Sequence, residues 1–404
     1  MYSPKNIPLT FSKFLFWVII LYFNATFSQT EFFHSKINFS EKQLNNFYSS
    51  FSIDSTQVYF NANDYYVHAY NKKTGVLNWS YYLGNKTNNA PISYQTNLFV
   101  SKHFSEYNDK CVQLNSQTGD TIQTIMIESI NTRPVFKENV MYCTAINPEI
   151  GGAIIAYDLK KNSAIWQQFI AHGVDKQPYY LKDKIIANAE DDNWFNLDYT
   201  GKLLDTTCKN KTNLFVEDIK CVRNFKYLTH NQKELSGSYF DSDQVLKLKY
   251  IKDKTIVLGE NKILIINNRN KIEKEIQIED IIPITENEGS NYSEILKVED
   301  NTIWFFSHNN LAVYDFKISK TLKNYDLTIW NAHQAILENN NLWLISRNDA
   351  QLVGLKLESD PKKAAMIEAK ADMQREIENC NKPDPKMIKA AKKSKKKLTK
   401  EFEL

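Results

Sequence analysis

A unit of about 43 residues recurs along the chain, each copy turns on an Asn or Asp at a fixed place, and aromatic and β-branched residues are abundant. These observations predict an all-β chain folded as a β-propeller of seven recognisable four-stranded blades, with room for an eighth, and a short basic helical tail after it. Of 404 residues, 42% are apolar and 24% charged, which excludes disorder of the whole chain. The 22 Tyr and 23 Phe, set against 11 Gly and 10 Pro, suit pleated, half-buried surfaces.

In chain order the first element is not part of the propeller. Lys5 and Lys13 precede an unbroken apolar run from Phe14 to Phe23, and the small residues Thr26 and Ser28 follow. A basic segment, an apolar core of about ten residues and small residues beyond it read as a secretory signal peptide over residues 1–28, cut before Gln29. The run is shorter than the roughly 20 residues a membrane-spanning helix needs. No Cys follows it, so a lipid anchor is not expected. The mature chain is expected in a bacterial periplasm or outside the cell.

The propeller itself is expected over residues 29–360. Its first copy is Gln57–Asn61 and Tyr66–Asn71, then Lys72-Lys73-Thr74-Gly75 and Trp79. Later copies turn at Asn115, Asp158, Asp198, Asn267 and Asp315, so that successive turns lie 44, 43, 40, 69 and 48 residues apart. A last copy follows at Leu342–Ile345 and Leu352–Leu355. Pro91, Pro134 and Pro178 repeat the same period independently, each five residues before the turn that opens the next strand. Alternating apolar and polar residues predict strands with one buried face. The Asn/Asp side chain can bond its own backbone as the chain turns, and Gly75, Gly119 and Gly201 can take the left-handed conformation there. Trp79 and Trp166 fall eight residues after that Asn/Asp, on an outer strand, where a ring can bury area against the neighbouring unit. The 69-residue gap between Asp198 and Asn267 holds a degenerate eighth blade or an insertion. Residues 31–50 are expected to supply a closing strand for the last blade.

The run Ala69-Tyr-Asn71-Lys-Lys-Thr74-Gly75-Val-Leu-Asn-Trp79 resembles the repeat of the PQQ-like, or quinoprotein-like, β-propellers, and Ala156 to Trp166 is similar, with Lys161-Asn162 in place of Thr-Gly. The resemblance implies the propeller fold. Quinone-dependent dehydrogenases that share this repeat have a vicinal Cys-Cys disulfide, a carboxylate-rich calcium site and, in some, a C-x-x-C-H haem module. This chain has no Cys-Cys and no C-x-x-C-H, so no cofactor is expected, PQQ included.

Other chemistry is sparse. Cys111, Cys143, Cys208, Cys221 and Cys380 form no metal-ligand or redox pair spacing; Cys208–Cys221 or Cys111–Cys143 could pair in an oxidising compartment, or serve as small buried hydrophobes. Phosphate-loop, nucleophile-elbow and zinc-helix motifs are missing. His68 lies inside a strand and reads as a packed, hydrogen-bonded histidine. Propeller topology puts the hairpins between second and third strands on one rim with the connections between blades. That rim would carry Asn63, Asp64, His103, His172, Asp175, His308, Arg347 and Asp349 as docking candidates, with Glu190, Asp191 and Asp192 as a weak cation site.

After Pro361 the composition shifts to Ala, Lys and Glu. Residues 361–404 hold 13 basic and 7 acidic residues, while 29–360 hold 35 and 40. Ala365, Ala369, Met373 and Ile377 form a narrow apolar stripe on a helix of about 18 residues. Lys392, Lys393, Lys395, Lys396 and Lys397 then form a basic cluster suited to an acidic partner or an anionic surface. The reading is an exported, non-catalytic propeller acting as a protein-interaction scaffold. It is expected to be monomeric, with a protein partner and no nucleic acid. The alternative is a quinone- or metal-dependent oxidoreductase or redox-complex subunit.

Overall fold

The computed structural model describes residues 29–357 apart from 45–48, 86–88, 106–107, 129, 131, 148–150, 172–177, 181–182, 189–193, 207–225, 229–233, 237–244, 252–253, 260, 270, 283–292 and 308. The expected signal peptide over residues 1–28, the tail from residue 361, Cys208, Cys221 and Cys380 lie outside the described residues.

Seven four-stranded antiparallel sheets follow one another in a ring. Blades 1 to 6 occupy 50–82, 92–128, 135–171, 179–206, 245–277 and 293–326, each an unbroken meander. Blade 7 takes its first three strands from 332–357 and its fourth from the other end of the chain. Gln29–His34 pairs antiparallel with Leu352–Leu357, from Gln29 opposite Leu357 to His34 opposite Val353. The closing strand thus begins two residues before the expected 31–50, and Ser50–Ile53 at the end of that span is already the first strand of blade 1. First strands of neighbouring blades lie side by side, including those of blades 7 and 1, and so line the axis. The long gap after Asp198 contains a small hairpin, Lys226–Leu228 with Glu234–Ser236, paired only with each other among the described residues. It is an insertion between blades 4 and 5, and the blade count is seven.

The apolar interior is a set of wedges between blades. Strand Thr302–Ser307 shows why: Ile303 and Phe305 pack toward blade 5, while Trp304 and Phe306 pack toward blade 7. Second and third strands are therefore buried on both faces, and the one-faced alternation expected from sequence holds only for outer strands such as Leu77–Tyr82. Continuous runs such as Ile263-Leu-Ile-Ile266 follow directly, because sheet stacking removes both faces from water.

All six Asn/Asp markers make the expected turn. Asn71 Oδ1 accepts the N–H of Lys73 and Thr74 at 3.0 and 2.9 Å, and Asn115, Asp158, Asp198, Asn267 and Asp315 repeat the pattern. The carbonyl of the residue after four of these markers then ties the turn to the preceding blade. Trp79 Nε1 donates to Ser116 O (3.1 Å), Gln123 Nε2 to Leu159 O (2.7 Å) and Trp166 Nε1 to Tyr199 O (3.0 Å); Lys274 Nζ donates to Phe316 O in the same way. An outer-strand donor thus reaches the same carbonyl four times, whatever side chain supplies it.

A polar rim built from hairpins and inter-blade connections

Backbone hydrogen bonds place the hairpins between second and third strands beside the connections between blades. His103 N donates to Leu83 O (2.7 Å), Leu83 N to Tyr65 O (2.8 Å), Leu327 N to Asn309 O (2.7 Å) and Arg347 N to Trp330 O (3.1 Å). The rim inferred from topology therefore exists as one continuous edge on these blades.

Its side chains are largely engaged with one another. In blade 1, Asp64 Oδ2 pairs with His68 Nε2 at 2.9 Å, and His68 Nδ1 meets Ser80 Oγ at 2.7 Å. His68 is buried and bonded at both nitrogens, as its place in a strand implies. Asn63 is fully buried: it accepts from Ser49 Oγ (2.8 Å) and donates to Gln43 O (2.7 Å), pinning the segment before blade 1 over the hairpin. It presents no surface to a partner. In blade 2, His103 Nδ1 and Asp109 Oδ1 lie 2.7 Å apart across the hairpin base. Gly84, on the connection before it, passes so close to His103 that a β-carbon there would stand 2.4 Å from the carbonyl oxygen.

At blade 7, Arg347 turns inward. Its Nη2 lies 2.9 Å from His333 Nδ1 on the axis-lining strand Ala332–Glu338. Burial, with the Arg347 charge added, pushes the His333 pKa down to about 4. Asp349 Oδ2 pairs with His34 Nε2 at 2.9 Å, joining the rim to the closing strand. His172, Asp175, Glu190, Asp191, Asp192, His308 and Lys392, Lys393, Lys395, Lys396 and Lys397 lie outside the described residues.

Between blades 2 and 3 the rim is indented by a pocket that sequence reasoning did not find. Phe99, Ile92 and Cys111 line it with apolar surface, and Lys110, Thr132 and Arg133 with polar groups. No motif marks it, because its walls come from four separate segments. Cys111 and Cys143 share the wedge beneath and are both free thiols. Burial pushes the Cys111 thiol up to about 12, and burial followed by the nearness of Cys111 raises that of Cys143. Both stay protonated near neutral pH and act as small core side chains. Among the described residues, no three His, Cys, Asp or Glu side chains come together as a metal site would require, and no helix is long and apolar enough to cross a membrane.

Fold and rim together define a seven-bladed β-propeller with a closed ring and a polar, hairpin-built face. No family model and no curated protein matches the chain. Among solved structures it is similar to BamB from Moraxella catarrhalis, at 13% identity and a TM-score of 0.41, over 77% of this chain and 83% of that one. It is also similar to the computationally designed Ika8 protein, at 12% identity and a TM-score of 0.46, over 76% of this chain and 95% of the other.

Proposed function

We propose that this chain is an exported, non-catalytic propeller of the PQQ-like kind, working as a protein-interaction scaffold in a bacterial periplasm or at the cell surface. The observation that carries this reading is how the rim uses its polar side chains. The four described histidines, His34, His68, His103 and His333, are each matched to their own partner, Asp349, Asp64, Asp109 and Arg347, on their own blade. Each pair stiffens the hairpin or strand that carries it. Stiff hairpins on interlocked blades present a fixed face, which suits recognition with little ordering cost.

Two further points support the reading. Cleavage before Gln29 would remove no residue of Gln29–His34, the part of the closing strand that pairs with Leu352–Leu357. The six Asx turns and the outer-strand donors follow the repeat that the PQQ-like resemblance rests on. The basic cluster from Lys392 to Lys397 would extend the binding face toward an acidic protein or an anionic surface, without a lipid anchor and without nucleic acid. Cell fractionation with N-terminal sequencing tests export: a chain starting at Gln29 in the periplasm or medium is expected, and an intact chain in the cytoplasm contradicts it. The absorbance of the purified protein and quinone-dependent dye reduction test the non-catalytic claim, which stoichiometric bound quinone with turnover would overturn.

A further inference from the structure

The chain leaves the ring beside its own seam. Leu352–Leu357, the last strand described, ends opposite Gln29 on the closing strand. Between the closing strand and blade 1 the outer mouth of the seam is lined with apolar side chains. From blade 7, the bulge between Glu31 and Phe33 sets both Phe32 and Phe33 against Trp343, with ring centroids 5.2 and 5.3 Å from the indole. From blade 1, Leu77 stands opposite Tyr70 and Tyr82 opposite Tyr66, on the face that Tyr70 turns toward Phe33. Phe33 is buried in the wedge beneath, whereas Phe32 is 45% exposed, Leu77 47%, Tyr82 49% and Tyr66 37%. On the far side of the exit, the outer strand of blade 6 exposes Lys320, Asn324 and Asp326 instead. The exposed Ile122 and Ile165, on the outer strands of blades 2 and 3, lie further round the ring.

We propose that the helix expected after Pro361 lies along this mouth, with its stripe of Ala365, Ala369, Met373 and Ile377 against Phe32, Leu77 and Tyr82. The point where the last strand ends selects this occupant. Ala365 follows Leu357 by eight residues, a tether that spans at most about 28 Å. Phe32 is three residues up the closing strand from Gln29, about 10 Å, and one strand spacing of about 5 Å separates Gln29 from Leu357. The tether therefore reaches this mouth with length to spare. Lengths agree as well: the stripe from Ala365 to Ile377 covers about 18 Å of helix, and Leu77 to Tyr82 about 17 Å of strand. An isolated helix of this length is marginal in water and takes its stability from packing of its apolar face. The tether holds that face at high effective concentration beside the seam. The docked helix straps the ring across its non-covalent closure. It runs toward Tyr66 and Tyr82, whose neighbours Tyr65 and Leu83 are bonded on the rim, and so carries the cluster from Lys392 to Lys397 toward the polar face. The inference does not rest on the scaffold reading.

A photo-crosslinking side chain at position 369 of the full chain tests the contact. Irradiation is expected to join it, within one copy, to peptides from 29–36 or 76–83, mapped by mass spectrometry. Adducts that join two copies, adducts confined to other blades, or no adduct at all overturn the proposal. Amide exchange gives an independent reading. Met373→Lys and Leu77→Lys are each expected to speed exchange over 29–34 about fivefold or more, because each uncovers the closing strand. Combined, they are expected to do no more than either alone, since both break one contact. Ile122 is exposed to a similar degree as Leu77, and Ile122→Lys is expected to change nothing at the seam. Exchange over 29–34 that Met373→Lys leaves unchanged, or that Ile122→Lys raises equally, overturns the proposal.

Discussion

The indole of Trp79 fills the space that a β-carbon on Gly119, in the next blade, would need: its ring atoms lie 2.7 Å from that position. Trp166 and Gly201 repeat the relationship at 2.6 Å, and Phe33 of the closing strand takes the place of the tryptophan against Gly75 at 3.0 Å. The Trp and the Thr-Gly of the repeat are therefore two halves of one contact, carried on successive blades. The junction between blades 2 and 3 departs at both halves at once. Gln123 stands where the Trp would be, and Asn162, at φ 53°, stands where the next blade would place its Gly.

Gly119→Ala is expected to destabilise the protein by about 2–4 kcal/mol, combining left-handed strain at φ 77° with overpacking against the ring. Chemical denaturation measures it. In Trp79→Leu/Gly119→Ala the overpacking part should be recovered and the strain part should remain, so the double-mutant cycle should show coupling. Additive losses would mean that the two residues do not share a contact.

Ring closure depends on two glutamine side chains that each grip a backbone segment of the N-terminal region. Gln334 accepts from Phe51 N (3.2 Å) and donates to Phe51 O (3.3 Å); Gln351 accepts from Ile37 N (3.1 Å) and donates to Ile37 O (2.7 Å). Replacing Gln334 with Leu leaves both Phe51 groups without these bonds and is expected to cost about 1–3 kcal/mol. Hydrogen exchange should rise first over 50–53, at the join of blades 7 and 1. Uniform loss of protection around the ring would show that closure is not the weak point.

His333 predicts a pH dependence of definite sign. Its folded pKa is about 4 against 6.5 for the free side chain, so between those values the unfolded chain binds more protons. Stability should therefore be fully present above about pH 6.5 and fall as the pH drops toward 4. Substituting His333 by Asn should flatten thermal stability across that window. An unchanged slope would remove His333 as its source.

The two described thiols should be silent in the native protein. At about pH 8, iodoacetamide followed by peptide mapping should leave Cys111 and Cys143 unmodified, with labelling appearing only in denaturant. Rapid native labelling of Cys111 would show that the pocket between blades 2 and 3, which Cys111 helps to line, admits the reagent.

Local geometry explains which parts of this fold could be read from sequence. The turn at Asn71 or Asp315 is made within about four residues, so its marker survives in the later blades even where the Thr-Gly after it is lost. Closure was legible only in part, because Gln29-Thr-Glu31 carries no strand pattern of its own and becomes a strand by pairing with Leu355–Leu357. Blades 5 and 6 match the repeat less closely because Asn267 and Asp315 are not followed by Thr-Gly, and Glu275 and Lys323 stand eight residues on where Trp79 and Trp166 stand in blades 1 and 3. The rim followed from topology, yet the exposure of its residues did not. Asn63 is covered by the segment carrying Gln43 and Ser49, and Arg347 is drawn inward by His333, both contacts between distant parts of the chain or across a blade.

Site-specific photo-crosslinking in living cells tests the scaffold claim most directly. The probe is placed on the exposed rim residues Asp109 and Asn348 and, for comparison, on Thr118 and Lys317 at the hairpins of the opposite rim. The account predicts a discrete protein adduct from the first pair and none from the second. Equal adducts from both rims, or none from Asp109 and Asn348, would contradict it.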